Sequence, residues 1–126
     1  MLKNDPDTVR EIEAAFAAYD KALLDNDVAA LNGFFHNDPS TVRFGIAENL
    51  YGFEAIAAFR SSRTSGPNQR RGSTVITTWG KDFATVATLS HGANSARVGR
   101  TMQTWVRLPQ GWRIVAAHVS TIDTPA

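Results

Sequence analysis

The hydrophobic residues near the start of the chain recur at helical spacing. Steps of three and four residues place them on one face of an amphipathic helix, and these residues are Val9, Ile12, Phe16, Tyr19 and Leu23. The helix is predicted to begin at Asp5-Pro6, because Asp accepts backbone N–H bonds at an N-cap and Pro fits the first turn. Tyr19 therefore carries a phenol group into a stripe that is otherwise apolar.

Two shorter helices are predicted on either side of a pair of short strands. The second helix starts at Asp27 and has Asn32-Gly33 as its stop signal, because Asp is a good N-cap and Gly commonly follows the last helical turn. The third helix extends from about Gly52 to Ser62 and packs three apolar residues at helical spacing, which are Phe53, Ile56 and Phe59.

Between the second and third helices the period changes to two. A strand is predicted from Thr41, and its residues alternate between two faces in the order Val42, Arg43, Phe44, Gly45 and Ile46. A second short strand is predicted at Leu50-Tyr51, just before the third helix.

The remainder of the chain has the pattern of four long antiparallel strands. Turn sequences such as Gly92-Ala93-Asn94-Ser95 and Pro109-Gln110-Gly111 separate segments rich in Thr, Val and Ile, which are Arg71–Trp79, Phe83–His91, Arg97–Leu108 and Trp112–Ile122. The predicted fold class is α+β, with one domain over residues 1–126 and the helices gathered on one face of a curved sheet.

Composition excludes several classes of protein. The 126 residues include no Cys, which excludes a disulfide framework and a Cys-zinc site. No apolar segment approaches the roughly 18 residues needed to cross a membrane, and the first residues lack the apolar core of a signal peptide. We therefore expect a cytoplasmic protein without membrane contact. The three His residues have no metal-ligand spacing, so neither a metal nor a cofactor is expected.

The net charge of +1 conceals an uneven distribution of charge. Residues 1–54 carry four basic and ten acidic side chains, whereas residues 55–126 carry nine basic and two acidic ones. Ten of the 13 basic residues are Arg. In the second half these alternate with Thr, Val and Trp and form no basic cluster with exposed aromatic residues. Nucleic acid is therefore not an expected partner.

Tyr19 and Arg43 each have a structural and a functional interpretation. Tyr19 is either a core residue bonded to a backbone carbonyl or a proton donor facing a cavity. Arg43 points to solvent if its apolar neighbours face the helices. If its strand lines a cavity, Arg43 is a buried guanidinium that needs an anion. The pattern alone leaves both pairs of alternatives open.

The last strand adds two polar candidates, His118 and Ser120. Strict alternation puts both on the strand face that also carries Ile114 and Ala116. An isolated strand His among Ala and Val is usually a satisfied core residue, so the pattern favours a structural role for His118.

Four segments resemble the AtzH-like family of the nuclear-transport-factor-2-like superfamily. They are Thr41–Gly52 (TVRFGIAENLYG), Val75–Gly80 (VITTWG), Val98–Trp105 (VGRTMQTW) and Trp112–Ser120 (WRIVAAHVS). The resemblance implies a cone-shaped fold in which a mostly antiparallel sheet of about five or six strands wraps around three helices from the first half of the chain. Such a fold encloses a pocket and commonly forms homodimers through the sheet.

The resemblance also implies an activity. AtzH-like proteins accompany amidase-signature enzymes in bacterial catabolism of nitrogen-rich compounds such as cyanuric acid, and a close relative accompanies oxalurate catabolism. The implied reaction converts 1,3-dicarboxyurea to allophanate with a Tyr of the first helix and an Arg of the first strand, which match Tyr19 and Arg43. His118, Ser120 and Trp105 lie in matching segments and are expected to line the substrate pocket.

Two routes and one alternative function remain open. The N-carboxylate can lose CO2 once its nitrogen gains a proton, or water can attack the urea carbonyl while Arg43 polarises its oxygen. The alternative function is a non-catalytic subunit that binds a carboxylated metabolite or supports a neighbouring amidase.

Overall fold

Three helices lie against one face of a six-stranded sheet in the computed structural model, which describes residues 1–93 and 96–124. The helices are α1 (Pro6–Asp25), α2 (Val28–Phe34) and α3 (Phe53–Ser61). The strands are β1 (Val42–Phe44), β2 (Asn49–Tyr51), β3 (Gln69–Trp79), β4 (Phe83–Gly92), β5 (Arg97–Leu108) and β6 (Gly111–Asp123). Their order in the sheet is β2-β1-β6-β5-β4-β3.

The sheet is curved and mostly antiparallel, as predicted. Strands β3 to β6 form a meander, and β1 pairs parallel to β6 with Arg43 opposite Ala117. The short hairpin of β1 and β2 therefore sits at the edge of the sheet, next to the last strand of the chain. No helix of the described chain is both long and apolar enough to span a membrane.

Two details of the predicted elements need correction, and a third is not tested. Helix α2 continues through Gly33 to Phe34 instead of ending at Asn32-Gly33. Strand β1 ends at Phe44, so Ile46 lies in the following turn and is exposed. The predicted Gly92–Ser95 turn includes Asn94 and Ser95, which lie outside the described residues.

Helix α1 begins as its sequence predicts. The Asp5 carboxylate accepts hydrogen bonds from the Thr8 backbone N–H at 3.2 Å and from the Thr8 hydroxyl at 2.8 Å. These contacts satisfy one of the N–H groups that every helix start leaves without a helical partner. Farther along, the Asp20 carboxylate accepts from Arg71 Nε on β3 at 2.9 Å. This bond fixes the helix turn that carries Tyr19 against the sheet.

The core fills the space between the helices and the inner face of the sheet. Its members come from all three helices, from β4 to β6 and from the segment after α2, and they are Ile12, Phe16, Tyr19, Ala22, Leu31, Phe35, Ile56, Ala84, Val86, Trp105, Trp112 and Ile114. The apolar stripe of α1 predicted from the sequence supplies three of these residues, Ile12, Phe16 and Tyr19.

A β-bulge in β6 changes which residues of that strand face the core. Trp105 pairs with Ile114 whereas Thr104 pairs with Ala116, so Val115 is an extra residue on β6. One extra residue reverses the alternation of side chains along the rest of a strand. Ile114 is buried whereas Ala116 and His118 are exposed. The prediction that His118 shares the face of Ile114 is therefore wrong.

Candidate functional site

A cavity of about 330 Å³ opens between α1, α3, the β1–β2 turn and the inner face of the sheet. Its lining is rich in guanidinium and hydroxyl groups and comprises Tyr19, Leu23, Arg43, Ile46, Ala47, Glu48, Arg60, Arg63, Pro67, Gln69, Arg71, Ser90, Thr101 and Val119. A volume at the small end of ligand pockets suits a small metabolite. The cavity brings together Tyr19 and Arg43, which are 24 residues apart in the sequence.

Aromatic rings hold Tyr19 at the bottom of the cavity. The side chain is only 4% exposed, and its ring packs edge-on against Trp105, with centroids 6.2 Å apart. Phe34 and Phe35 contact the same ring edge-on at 6.0 and 6.5 Å. This packing fixes the ring in one orientation, because aromatic pairs favour edge-to-face geometry at these distances. The phenol hydroxyl is thereby kept at a defined point of the cavity wall.

Arg43 points into the molecule from strand β1. It is 6% exposed, and its Nη1 donates to Glu48 Oε1 at 3.0 Å. Its guanidinium also lies over the Phe59 ring of α3, 5.2 Å from the centroid. The neighbouring β1 residues Val42 and Phe44 are on the opposite face. Of the two alternatives left open by the sequence, the structure therefore has the buried guanidinium that lines a cavity.

Arg60 on α3 is a second buried guanidinium beside Tyr19. It is 4% exposed, and its Nε has no hydrogen-bond partner in the described structure. Burial, together with the cations of Arg43 and Arg63, lowers the pKa of the Arg60 guanidinium, and the interaction with Tyr19 offsets part of this effect. Arg60 therefore brings a positive charge into the same cavity as Tyr19.

Two more arginines complete the cationic lining. Arg71 is bonded to Asp20, with Nε 2.9 Å from Oδ1 and 3.2 Å from Oδ2. Arg63 is exposed at the rim and lies over the Phe59 ring at 4.9 Å. Of the four guanidinium groups, that of Arg43 is paired with Glu48 and that of Arg71 with Asp20. Two positive charges are therefore in excess. A lining with excess positive charge favours anionic ligands.

Trp105 does not line the cavity but packs against the Tyr19 ring, which does. It is completely buried, and its indole N–H donates to Gln103 Oε1 at 2.9 Å. Its contribution to the site is the edge-on contact with the Tyr19 ring.

His118 and Ser120 are on the outer face of the sheet, away from Tyr19 and Arg43. They line a separate depression of about 480 Å³ with residues such as Arg100 and Met102. The His118 ring also packs edge-on against Phe44 on that face, with centroids 5.9 Å apart. Between them, Val119 points inward and lines the cavity. The structure therefore does not bring His118 or Ser120 together with the other candidates.

Sequence reasoning missed Arg60, although the sequence contains a signal for it. Arg60 follows Phe53 by seven residues and Ile56 by four, so all three share the buried face of α3. A charged residue on a buried helical stripe needs a partner and is an indicator of a site. Ser90 and Thr101 carried no comparable signal, because small hydroxyl residues are common throughout these strands.

Among the described residues no group of three His, Asp or Glu side chains could hold a metal ion. The carboxylates at the cavity are those of Glu48 and Asp20, and each is engaged by an arginine. The arrangement offers cationic groups that bind carboxylate and a phenol that can donate a proton.

The chain matches the model of the AtzH-like family over residues 1–125. It is similar to a protein of unknown function of the DUF3225 family from Pectobacterium atrosepticum SCRI1043, with 49% identity, coverage of 96% of this chain and 95% of that one, and a TM-score of 0.93. It is also similar to a cystatin-like fold protein from Burkholderia xenovorans LB400, with 48% identity, 99% coverage of each chain and a TM-score of 0.95.

More distant similarity concerns the fold alone. A nuclear-transport-factor-2-like protein of unknown function from Pseudomonas putida KT2440 is 17% identical, with coverage of 90% of this chain and 86% of that one and a TM-score of 0.77. No curated protein matches this chain. The match to the family model covers nearly every residue and includes the cavity with Tyr19 and Arg43. The chain belongs to the AtzH-like family.

Proposed function

We propose that the protein is a cofactor-independent enzyme that converts 1,3-dicarboxyurea to allophanate by decarboxylation. The observation that carries the proposal is the joint position of Tyr19 and Arg43 in one small cavity with a net positive lining. The proposed substrate has a carboxylate on each urea nitrogen, so it is a small dianion. Its charge matches the two positive charges that the lining has in excess.

The proposed reaction needs an anion-binding group and a proton donor. Arg43 binds the departing carboxylate through its guanidinium, which can form two parallel N–H···O bonds. The C–N bond breaks, its electron pair stays on nitrogen, and CO2 leaves. Tyr19 donates the proton that this nitrogen takes up, and solvent restores the proton to the phenol. Each turnover therefore consumes one proton and yields one CO2 and one allophanate.

Arg60 lines the same cavity as Tyr19 and favours the phenol as the donor. Its positive charge stabilises the negative charge that develops on the phenol oxygen during proton transfer. Hydrolysis would instead use a base to activate water. The two carboxylates nearby are both paired with arginine, which favours decarboxylation.

The test is turnover by the purified protein alone, with allophanate and CO2 measured together. Tyr19→Phe keeps the ring contacts and removes only the hydroxyl, so we expect kcat to fall by roughly 100-fold or more. The circular dichroism spectrum of the folded protein should be unchanged. Arg43→Gln should raise KM and lower kcat. Arg100→Gln removes the same charge on the outer face and serves as the matched control with unchanged kinetics.

Two outcomes would contradict the proposal. Turnover that survives both Tyr19→Phe and Arg43→Gln would place the chemistry elsewhere. Turnover only when an amidase is added would favour the alternative function, an accessory subunit that holds the carboxylated metabolite for a neighbouring enzyme.

A further inference from the structure

Unlike the charges of the other three arginines of the cavity, the charge of Arg60 is compensated neither by a carboxylate nor by bulk water. Arg43 is paired with Glu48, and Arg71 is paired with Asp20. Arg63 is exposed to water at the rim. Arg60 is buried, its Nε lacks a partner, and the structure as described gives it no carboxylate. Its guanidinium carbon lies 6.0 Å from the centroid of the Phe35 ring.

A buried guanidinium without an anion is unfavourable for the fold. Removing a charge from water costs several kcal/mol unless a counter-charge and hydrogen bonds compensate for it. An aromatic ring at this distance provides only part of that compensation. Because Arg60 lines a cavity and has unused donors, a bound anion can supply the remainder.

We propose that Arg60 binds a second carboxylate of the ligand while Arg43 binds the first, so that the cavity selects small dicarboxylates over monocarboxylates. Both guanidinium groups line the same cavity. The ligand class is a dianion with two carboxylates joined by a short chain. That this dianion is a dicarboxylated urea rests on the proposed function, whereas the selection of dicarboxylates does not.

The proposal has a consequence for product release. Decarboxylation turns a dianion into a monoanion, so the product keeps one of the two carboxylate contacts. A hydrogen-bonded contact with a charged group is worth roughly ten- to a hundredfold in affinity. The product is therefore held less tightly than the substrate, because Arg43 loses the carboxylate that departs as CO2.

Two stable compounds test this selection by calorimetric titration. Glutarate has two carboxylates separated by the same number of chain atoms as in 1,3-dicarboxyurea. Glutaramate has the same skeleton with one carboxylate replaced by a carboxamide. The proteins compared are the wild type, Arg60→Gln, Arg60→Lys and Arg100→Gln, the last being the matched control because it removes one charge from the outer face.

We expect the wild type and Arg100→Gln to bind glutarate at least tenfold more tightly than glutaramate. In Arg60→Gln the affinity for glutarate should fall by a similar factor, so that the preference is lost, whereas the affinity for glutaramate should change little. Arg60→Lys should retain part of the preference, because it keeps the charge and loses the planar fork. Equal preference in the wild type and Arg60→Gln would overturn the proposal, as would a wild type that binds both compounds equally.

Thermal unfolding without ligand separates this role from a purely structural one. Removal of an uncompensated buried charge should leave the melting temperature of Arg60→Gln unchanged or raised. A large fall in melting temperature would show that Arg60 holds the fold together and would contradict the proposal. Failure of the proposed function has a different signature, namely dicarboxylate selection by the wild type without turnover of 1,3-dicarboxyurea.

Discussion

Gly45 allows the carboxylate of Glu48 to reach the Arg43 guanidinium. A Cβ atom at position 45 would stand 1.8 Å from Glu48 Oε1 and 2.9 Å from Arg43 Nη1. The Gly45 N–H also donates to the Glu48 carbonyl oxygen at 2.8 Å, which closes the β1–β2 turn. The absence of a side chain at this position is therefore part of how the cavity holds its first arginine.

Gly45→Ala should separate Glu48 from Arg43, because the carboxylate is the end of a flexible side chain and moves more readily than the backbone. We expect the free energy of unfolding to fall by about 1–3 kcal/mol and binding of glutarate to change. The control is Gly33→Ala in α2, where a Cβ meets nothing within 4 Å. That change should stabilise the protein by about 0.5–1 kcal/mol. Equal effects in chemical denaturation would contradict this role for Gly45.

Sequence patterns identified single residues well where periodicity was clear. The helical stripe put Tyr19 among core residues, and the structure buries it there. The pattern could not decide where Arg43 points, because alternation defines two faces without saying which one is covered. That choice depends on how β1 pairs with β6, a contact between residues more than 70 positions apart.

At the scale of elements, the bulge in β6 decides which side chains reach the cavity. Strand periodicity assumes a constant alternation, and Val115 interrupts it. No residue of the segment from Trp112 to Ser120 marks the bulge, since it contains no Gly that would indicate a strained position. The face of His118 was therefore not predictable from the sequence.

Because the bulge reverses the alternation along β6, substitutions at two adjacent positions should have different effects on ligand binding. Val119→Phe places a larger ring in the cavity and should weaken glutarate binding by roughly tenfold or more. His118→Phe is close in shape and lies on the outer face, so it should leave binding unchanged. Calorimetric titration of the two variants measures both effects, and the reverse order would contradict the placement of β6.

The start of α1 should make stability depend on pH. The bonds that the Asp5 carboxylate accepts from the Thr8 hydroxyl and then from the Thr8 backbone N–H hold its pKa below the ordinary value of 3.8. A lowered folded-state pKa means that Asp5 stabilises the protein fully above pH 3.8 and loses this effect as the pH falls through the lower value. Acid thus weakens the cap.

A comparison of Asp5→Asn with Asp5→Ala separates the effect of the Asp5 charge on stability from the effect of its N-cap hydrogen bonds. Asn can still accept the Thr8 bonds, so Asp5→Asn should lower the melting temperature less than Asp5→Ala at pH 7. The difference between the wild type and Asp5→Asn should shrink as the pH falls through the Asp5 pKa. Asp7→Asn, at an exposed residue paired with Arg10, is the control. A constant difference at every pH would exclude the role of the Asp5 charge.

At the scale of the whole molecule, the two faces of the sheet have different properties. The inner face holds the arginine-lined cavity, whereas the outer face exposes Val75 and Met102, at 60% and 56%. The excess of arginine in the second half of the chain is divided between these faces, because Arg60, Arg63 and Arg71 line the cavity and Arg100 does not. Part of that excess therefore lies in the cavity and not on the outer face.

We propose, as the family resemblance implies, that two copies of the chain associate through the outer face. Light scattering should then give twice the mass of 13.7 kDa for the wild type. Met102→Arg should yield a monomer, because it places a charge in an apolar contact. Leu24→Arg, at an exposed apolar residue of α1, should leave the mass unchanged. A monomeric wild type at micromolar concentration would contradict this assembly.

The most direct test of the central claim is a crystal structure of Tyr19→Phe with glutarate bound. We predict that the ligand occupies the cavity between α1, α3 and the inner face of the sheet, with one carboxylate at Arg43, the other at Arg60 and the ring of residue 19 between them. Glutarate on the outer face near His118, or in the cavity without contact to Arg43, would contradict the claim.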